Sequence, residues 1–173
     1  ALAYAQRLYQ FPLGVFGIAI ATAIFPALAR AAPTANVNGT IPLSRDNHSF
    51  RAILQHGLQL TVFIGLPASV GLMIVRLPLT RIIFEYGEFD MEASKRVGAI
   101  LAAYASAVWA YSMTHVITRA FYAVKDTMTP LKISVMMVMF NLVLNLVLVW
   151  FLQEAGLAWS TAVSAAVQVV LLL

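Results

Sequence analysis

Polar and apolar positions fall in blocks along this chain instead of alternating. Five runs contain no Asp, Glu, Lys or Arg: residues 8–29, 52–75, 97–118, 133–153 and 155–173, with 22, 24, 22, 21 and 19 residues. A helix rises about 1.5 Å per residue, so about 20 apolar residues cross the hydrocarbon core of a bilayer. A membrane β-barrel would show segments of about ten residues with strict alternation, and the sequence has none. The pattern predicts an all-α, polytopic helical membrane protein with about five transmembrane helices. One such run can be a buried helix of a soluble domain; five in succession leave no residues to form a wet surface.

Charges gather in the connections. Residues 30–51 hold Arg30, Arg45 and Arg51; residues 76–96 hold Arg76, Arg81, Lys95 and Arg96; residues 119–132 hold Arg119, Lys125 and Lys132. The last connection holds only Glu154. Alternate connections share a side, and Lys and Arg favour the cytoplasm. Connections 30–51 and 119–132 are therefore expected to be cytoplasmic, and 76–96 and 154 periplasmic. Phe84, Tyr86 and Phe89 are expected at the headgroup level, where aromatic rings collect.

Breaks and packing surfaces are also predicted. Pro12, Gly14, Gly17 and Pro26 in the first run and Pro67 in the second are expected kink or hinge positions, since proline removes a backbone donor. Thr129 before Pro130 predicts an N-cap and a first helical residue for the fourth helix. Gly98, Ala102, Ser106, Ala110 and Thr114 recur every fourth residue, as do Ala158, Ala162 and Ala166. Small residues at that spacing let helices approach closely in lipid. Asn141 and Asn145, one turn apart, are expected to hydrogen-bond between helices.

Composition agrees with the pattern and excludes several classes. The chain is 61% hydrophobic and 10% charged, against about 25% charged in soluble domains, and its mean hydropathy is +0.85. With no cysteine there are no disulfides, thiolate metal sites or cysteine nucleophiles. His48, His56 and His115 lack metal-ligand spacing, so no metal site is expected. The pI near 9.7 does not imply nucleic acid, because the basic residues are spread singly without interleaved aromatics. Asn38–Gly39–Thr40 fits a glycosylation sequon, which a cytoplasmic loop would make meaningless. No catalytic constellation can be assembled, so the chain is not expected to be an enzyme. It starts at Ala1 and ends in the apolar run Val169–Leu173, and a piece of a longer protein is expected.

The candidate for function is Arg7. A charge at membrane depth is costly and usually faces a cavity. Gln6 and Gln10 flank it, and the Pro12/Gly14 break follows at once. An arginine there suits an anionic ligand, because its planar fork binds phosphate bidentately. Arg7, with Gln6 and Gln10 beside it, is therefore the expected substrate-binding surface.

The strings Tyr4–Ala5–Gln6–Arg7–Leu8, Phe11–Pro12–Leu13–Gly14–Val15–Phe16–Gly17 and Phe25–Pro26–Ala27–Leu28–Ala29–Arg30 resemble the MurJ/MviN family of lipid II flippases. So do Leu66–Pro67–Ala68–Ser69–Val70–Gly71–Leu72, Ile83–Phe84–Glu85–Tyr86–Gly87–Glu88–Phe89 and Arg119–Ala120–Phe121–Tyr122–Ala123–Val124–Lys125–Asp126–Thr127–Met128–Thr129–Pro130, in the family's order. The resemblance covers essentially the whole chain. It implies that the spans are helices eight to twelve of about fourteen, in the second of two lobes. It implies a multi-pass protein of the bacterial cytoplasmic membrane that flips lipid II, or a similar polyprenyl-pyrophosphate glycolipid, by alternating access. Arg7 would then be one of the cavity arginines, the others lying in a missing first lobe of the same chain. No cofactor is implied; a coupling ion or the membrane potential would supply the drive. Gln6 and Gln59 depart from the family, where relatives often carry an acid and an arginine. Another lipid-linked glycan, a drug exchanged for a cation, and a non-transporting flippase-like scaffold are the alternatives.

Overall fold

The computed structural model describes residues 2–32, 45–84 and 91–173. Tyr86 and Phe89, the acids Glu85, Glu88 and Asp90 and the sequon Asn38–Gly39–Thr40 lie outside the described residues, as does the side chain of Phe84. Among the described residues every regular element is helical. Helix α1 (Leu2–Pro12) passes through a π-helical turn (Leu13–Ile18) into α2 (Ala19–Ala31); then come α3 (Arg45–Phe84), α4 (Met91–Ser106), α5 (Val108–Ala123) and α6 (Met128–Leu172). Five stretches are long and apolar enough to cross a membrane: Leu2–Ala31, His48–Ile83, Ser94–Ala123, Met128–Trp150 and Ala155–Leu172. They are called the first to fifth spans below.

Helix α6 holds two of these spans because it folds back on itself. Gln168 Nε2 donates to Ser134 Oγ at 3.4 Å, whereas 34 residues of straight helix would part them by about 51 Å. The reversal lies between Leu148 and Gly156. A Cβ on Gly156 would overlap the Leu148 carbonyl, so only glycine lets the two arms meet there.

Interhelical contacts give the register. Tyr9 stacks on Tyr104, and Gly17 abuts Ser112; the first and third spans are therefore parallel. Gly65 abuts Trp109 and Gly98 abuts Leu77, so α3 runs antiparallel to the third span. The guanidinium of Arg119 lies 5.6 Å from the Phe25 ring centroid, which puts the ends of the first and third spans at one side. The third span is the hub. Of its apolar window 72% is buried, against 6% for the fourth span, whose outward side chains such as Trp150 and Val138 remain exposed.

Small residues explain how the hub is packed so closely. Gly98, Ala102 and Ala110 are buried, with Ser106 and Thr114 half-buried. Ala107 and Ala110 share a cluster with Ala162, Ala165 and Val169 of the fifth span. A second small-residue face, Gly57, Thr61, Gly65 and Ser69 of α3, is also buried. Nothing in the sequence reading singled it out, because Phe63, Leu66 and Pro67 surround it.

The connection from α5 to α6 corrects one expectation. Thr129 is not the cap, because α6 begins at Met128. The Asp126 carboxylate caps it instead, accepting from the Met128 N–H at 3.1 Å, the Thr129 N–H at 3.0 Å and the Thr129 hydroxyl at 2.7 Å. Pro130 still falls in the first turn, where no N–H is required. Helix α5 closes with Lys125 N–H bonded to Tyr122 O and Asp126 N–H to Phe121 O, Lys125 standing at φ 62°. That is a Schellman ending with lysine in the left-handed position.

Candidate functional site

Helix α1 has two unlike faces. Ala5 and Tyr9, one turn apart, are buried against α4, while Gln6, Arg7 and Gln10 are exposed. Gly14 continues the exposed face, and a Cβ built on it would meet nothing within 4 Å. Arg7 makes no hydrogen bond or ion pair with any described residue. A cation on the exposed face of a membrane-span helix, with no partner among the described residues, is available to an anion from outside the bundle.

Tyr9 fixes the direction in which that face points. Its ring is stacked between Tyr104, with centroids 4.7 Å apart, and Tyr111, at 5.8 Å. Two such contacts prevent the helix from rotating about its axis, so Arg7 and Gln10 stay turned outward. This tyrosine stack was missed in the sequence. The available signal was three polar-tipped rings inside charge-poor helices, two of them seven residues apart.

The break after Arg7 is a π-helical turn. Pro12 has no N–H to offer Leu8, and Gly14 and Gly17 hold the helix weakly, so one wide turn forms before α2. Helices α2 and α3 run on through Pro26 and Pro67. The third span breaks at Ala107 without proline or glycine. There the Ser106 hydroxyl donates to Ala103 O at 2.7 Å, and Ala107 N–H closes on Tyr104 O at 3.1 Å.

Other polar residues at membrane depth serve the bundle. Asn141 Nδ2 donates to Ser164 Oγ at 3.1 Å, Asn145 Nδ2 to Asn141 Oδ1 at 2.9 Å, and the Ser160 hydroxyl to Asn145 Oδ1. This ladder ties the fourth span to the fifth. Among the described residues no group of three or more His, Asp and Glu is placed to hold a metal. An apolar groove of about 560 Å³ runs along Leu58, Gln59, Val62, Phe63, Leu66 and Pro67. It includes neither Arg7 nor its flanking glutamines.

Comparison with known proteins decides the family. The family model described as lipid II flippase MurJ matches residues 1–173. The chain belongs to the MurJ lipid II flippase family. A probable lipid II flippase MurJ of Vibrio cholerae is 35% identical over 171 residues, covering 99% of this chain and 31% of that protein. One from Rhizobium meliloti is 36% identical over 172 residues, covering 99% and 30%. A solved structure titled lipid II flippase MurJ, inward closed conformation, superposes with a TM-score of 0.86 at 25% identity, over 99% of this chain and 34% of that one. The chain thus spans about a third of the length of its MurJ relatives. These relatives carry the name of transporters, not of enzymes, and with five membrane-crossing helices the chain is part of a multi-pass membrane protein.

Proposed function

We propose that this chain forms one wall of a flippase that moves lipid II from the inner to the outer leaflet of the bacterial cytoplasmic membrane. It would do so by alternating access between two lobes, the other lobe lying in the rest of the protein. The observation that carries this is Arg7: exposed, unpaired among the described residues, and held outward by the Tyr9 stack on a helix otherwise fit for lipid. A guanidinium in a low-dielectric cavity binds a pyrophosphate with paired, charge-assisted hydrogen bonds. Gln10, one turn on, adds a neutral donor to the same face.

Six Lys and Arg lie in connections 30–51 and 119–132 against four in 76–96. That bias favours a cytoplasmic location for the first pair, and so an Arg7 nearer the periplasmic end. No cofactor enters this proposal; a coupling ion or the membrane potential supplies the drive. Surrounding bilayer lipids are the remaining partner.

The test is complementation by the complete protein in cells depleted of their own flippase. Arg7→Ala is expected to reduce flipping about ten- to hundredfold, the factor for losing a charge-assisted contact of about 1.5–3 kcal/mol. Arg7→Lys should recover part of it, because charge remains while the bidentate fork is lost. Growth and flipping at wild-type levels with Arg7→Ala would remove the role assigned to Arg7. Failure of the wild-type chain to rescue would point to another lipid-linked cargo.

A further inference from the structure

Three helices have their weak points at one depth. In the first span it is the π-helical turn Leu13–Ile18 and in the third it is Ala107, while in α3, which stays helical throughout, Pro67 leaves one carbonyl without its N–H partner. Tyr9 meets Tyr104 and Gly17 meets Ser112 at the same offset of 95 positions, so the π turn begins beside Ala107 and Val108. The antiparallel contacts Gly98–Leu77 and Gly65–Trp109 bring Pro67 to the same level. Each weak point has its own local cause: a missing N–H followed by glycines, a proline inside a continuous helix, and the Ser106 hydroxyl taking the Ala103 carbonyl. Packing alone does not require such different causes to coincide.

The seam divides the helices into two blocks. Helix α1 packs on α4, and α2 packs on α5, while α3 and α6 each touch both. Arg7 rides on the first block. A cavity of about 170 Å³ opens at the seam between Ser106, Ala107 and Ala110 of the third span and Trp159, Ala162 and Ala166 of the fifth. Three buried hydroxyls have no hydrogen-bond partner among the described residues, and two of them, Ser69 and Tyr111, lie within about one turn of the seam, the third being Ser94. A close-packed core seldom leaves two such hydroxyls unsatisfied in one place, and the cleft beside them leaves the third span room to move. Tyr9, stacked on Tyr104 before the break and on Tyr111 after it, lies across the seam.

We propose that this seam is a hinge. The α1–α4 block tilts against the α2–α5 block about Leu13–Ile18, Pro67 and Ala107, with Tyr9 as the latch, and so opens or narrows the mouth at Arg7. The fourth and fifth spans, tied by the Asn141–Asn145 ladder, stay straight. Only the consequence for transport rests on the flippase proposal; the bending does not.

Pulsed electron spin distances in the complete, reconstituted protein test this. Label pairs at exposed positions of one helix are used: Ala99 with Tyr122 in the third span, Ala3 with Ala29 in the first, and Leu131 with Val147 in the fourth as control. Unbent helices would hold these at about 35, 39 and 24 Å. The first two distributions are expected to be broad or double, and the control narrow. Ser106→Ala with Gly14→Ala removes the hydroxyl and a flexible residue, and the added Cβ has open space. That pair of changes should narrow both distributions and slow lipid II flipping about fivefold, the factor of an alanine-for-glycine helix preference. A third-span distribution as narrow as the control, and unchanged by the double variant, overturns the hinge. Broad distributions that narrow in the double variant, in a protein that does not move lipid II, keep the hinge and remove the cargo.

Discussion

Gly17 lies against Ser112 with no room for a side chain between them: a Cβ on the glycine would stand 2.6 Å from the serine Oγ and 3.0 Å from its Cβ. The serine cannot swing away easily, since it is buried and donates to Val108 O at 2.8 Å. Gly17→Ala should therefore destabilise the protein by about 1–3 kcal/mol, the usual cost of overpacking. Adding Ser112→Gly should return much of that loss, because it removes the atoms the new methyl meets. Thermal unfolding of the detergent-solubilised protein reads both. A Gly17→Ala protein as stable as wild type would mean that the first and third spans are not locked at this point.

Asp126 gives a pH-dependent prediction. The Thr129 hydroxyl, then the Thr129 and Met128 N–H groups and Lys132, hold its carboxyl below the usual aspartate range, although it is open to solvent. A depressed folded value stabilises the protein above the unfolded pKa of about 3.9, and the contribution is lost as pH falls through the folded value. Asp126→Ala should lower the unfolding temperature at pH 6. The gap from wild type should close as pH drops below about 4. An equal gap at pH 6 and pH 3 would assign the effect to something other than the ionised cap.

How much of this was legible depended on whether a single residue type carried the signal. Long charge-free runs marked where the spans lie, because removing charge is what lipid demands of a helix. Their ends were less legible. The first run starts at residue 8 only because Arg7 interrupts it, yet the helix begins at Leu2. Helix α3 continues past Arg76 and Arg81 to Phe84, since a helix need not stop where the bilayer does. The break at Ala107 had no proline or glycine to announce it; a serine hydroxyl and the surrounding packing set it. Arg7 could be picked out by its charge, whereas Tyr9, Tyr104 and Tyr111 come together only through the parallel register of two spans about 95 positions apart in sequence.

Lys125 pays a backbone cost that glycine would not. At φ 62° its Cβ crowds the carbonyl that follows, a penalty of roughly 1 kcal/mol for a side chain with no compensating local hydrogen bond. Lys125→Gly is expected to raise stability by up to about 1 kcal/mol, less the extra entropy glycine gives the unfolded chain. Five Lys and Arg would still face four across the membrane, so insertion should keep its direction. Urea-free thermal melts, with cysteine accessibility to check orientation, measure both. A destabilised Lys125→Gly would show that the lysine side chain contributes more than its strained backbone costs.

The hairpin ladder gives the sharpest energetic test. Asn145 is its centre, donating to Asn141 and accepting from Ser160, while Asn141 reaches Ser164. Polar pairs between membrane helices are worth about 0.6–2 kcal/mol, because the unfolded helices find other partners in the bilayer. Asn145→Ala leaves the Asn141 carbonyl oxygen and the Ser160 hydroxyl with fewer partners at membrane depth, so its cost should exceed that of Ser160→Ala, whose hydroxyl also has Leu157 O to bond. The double variant should cost less than the two single changes together, since each removes the same hydrogen bond. The coupling is expected at about 0.5–2 kcal/mol. Strict additivity in thermal or denaturant unfolding would mean that the fourth and fifth spans are held by apolar packing alone. In that case a straight, unbending hairpin could no longer be attributed to the ladder.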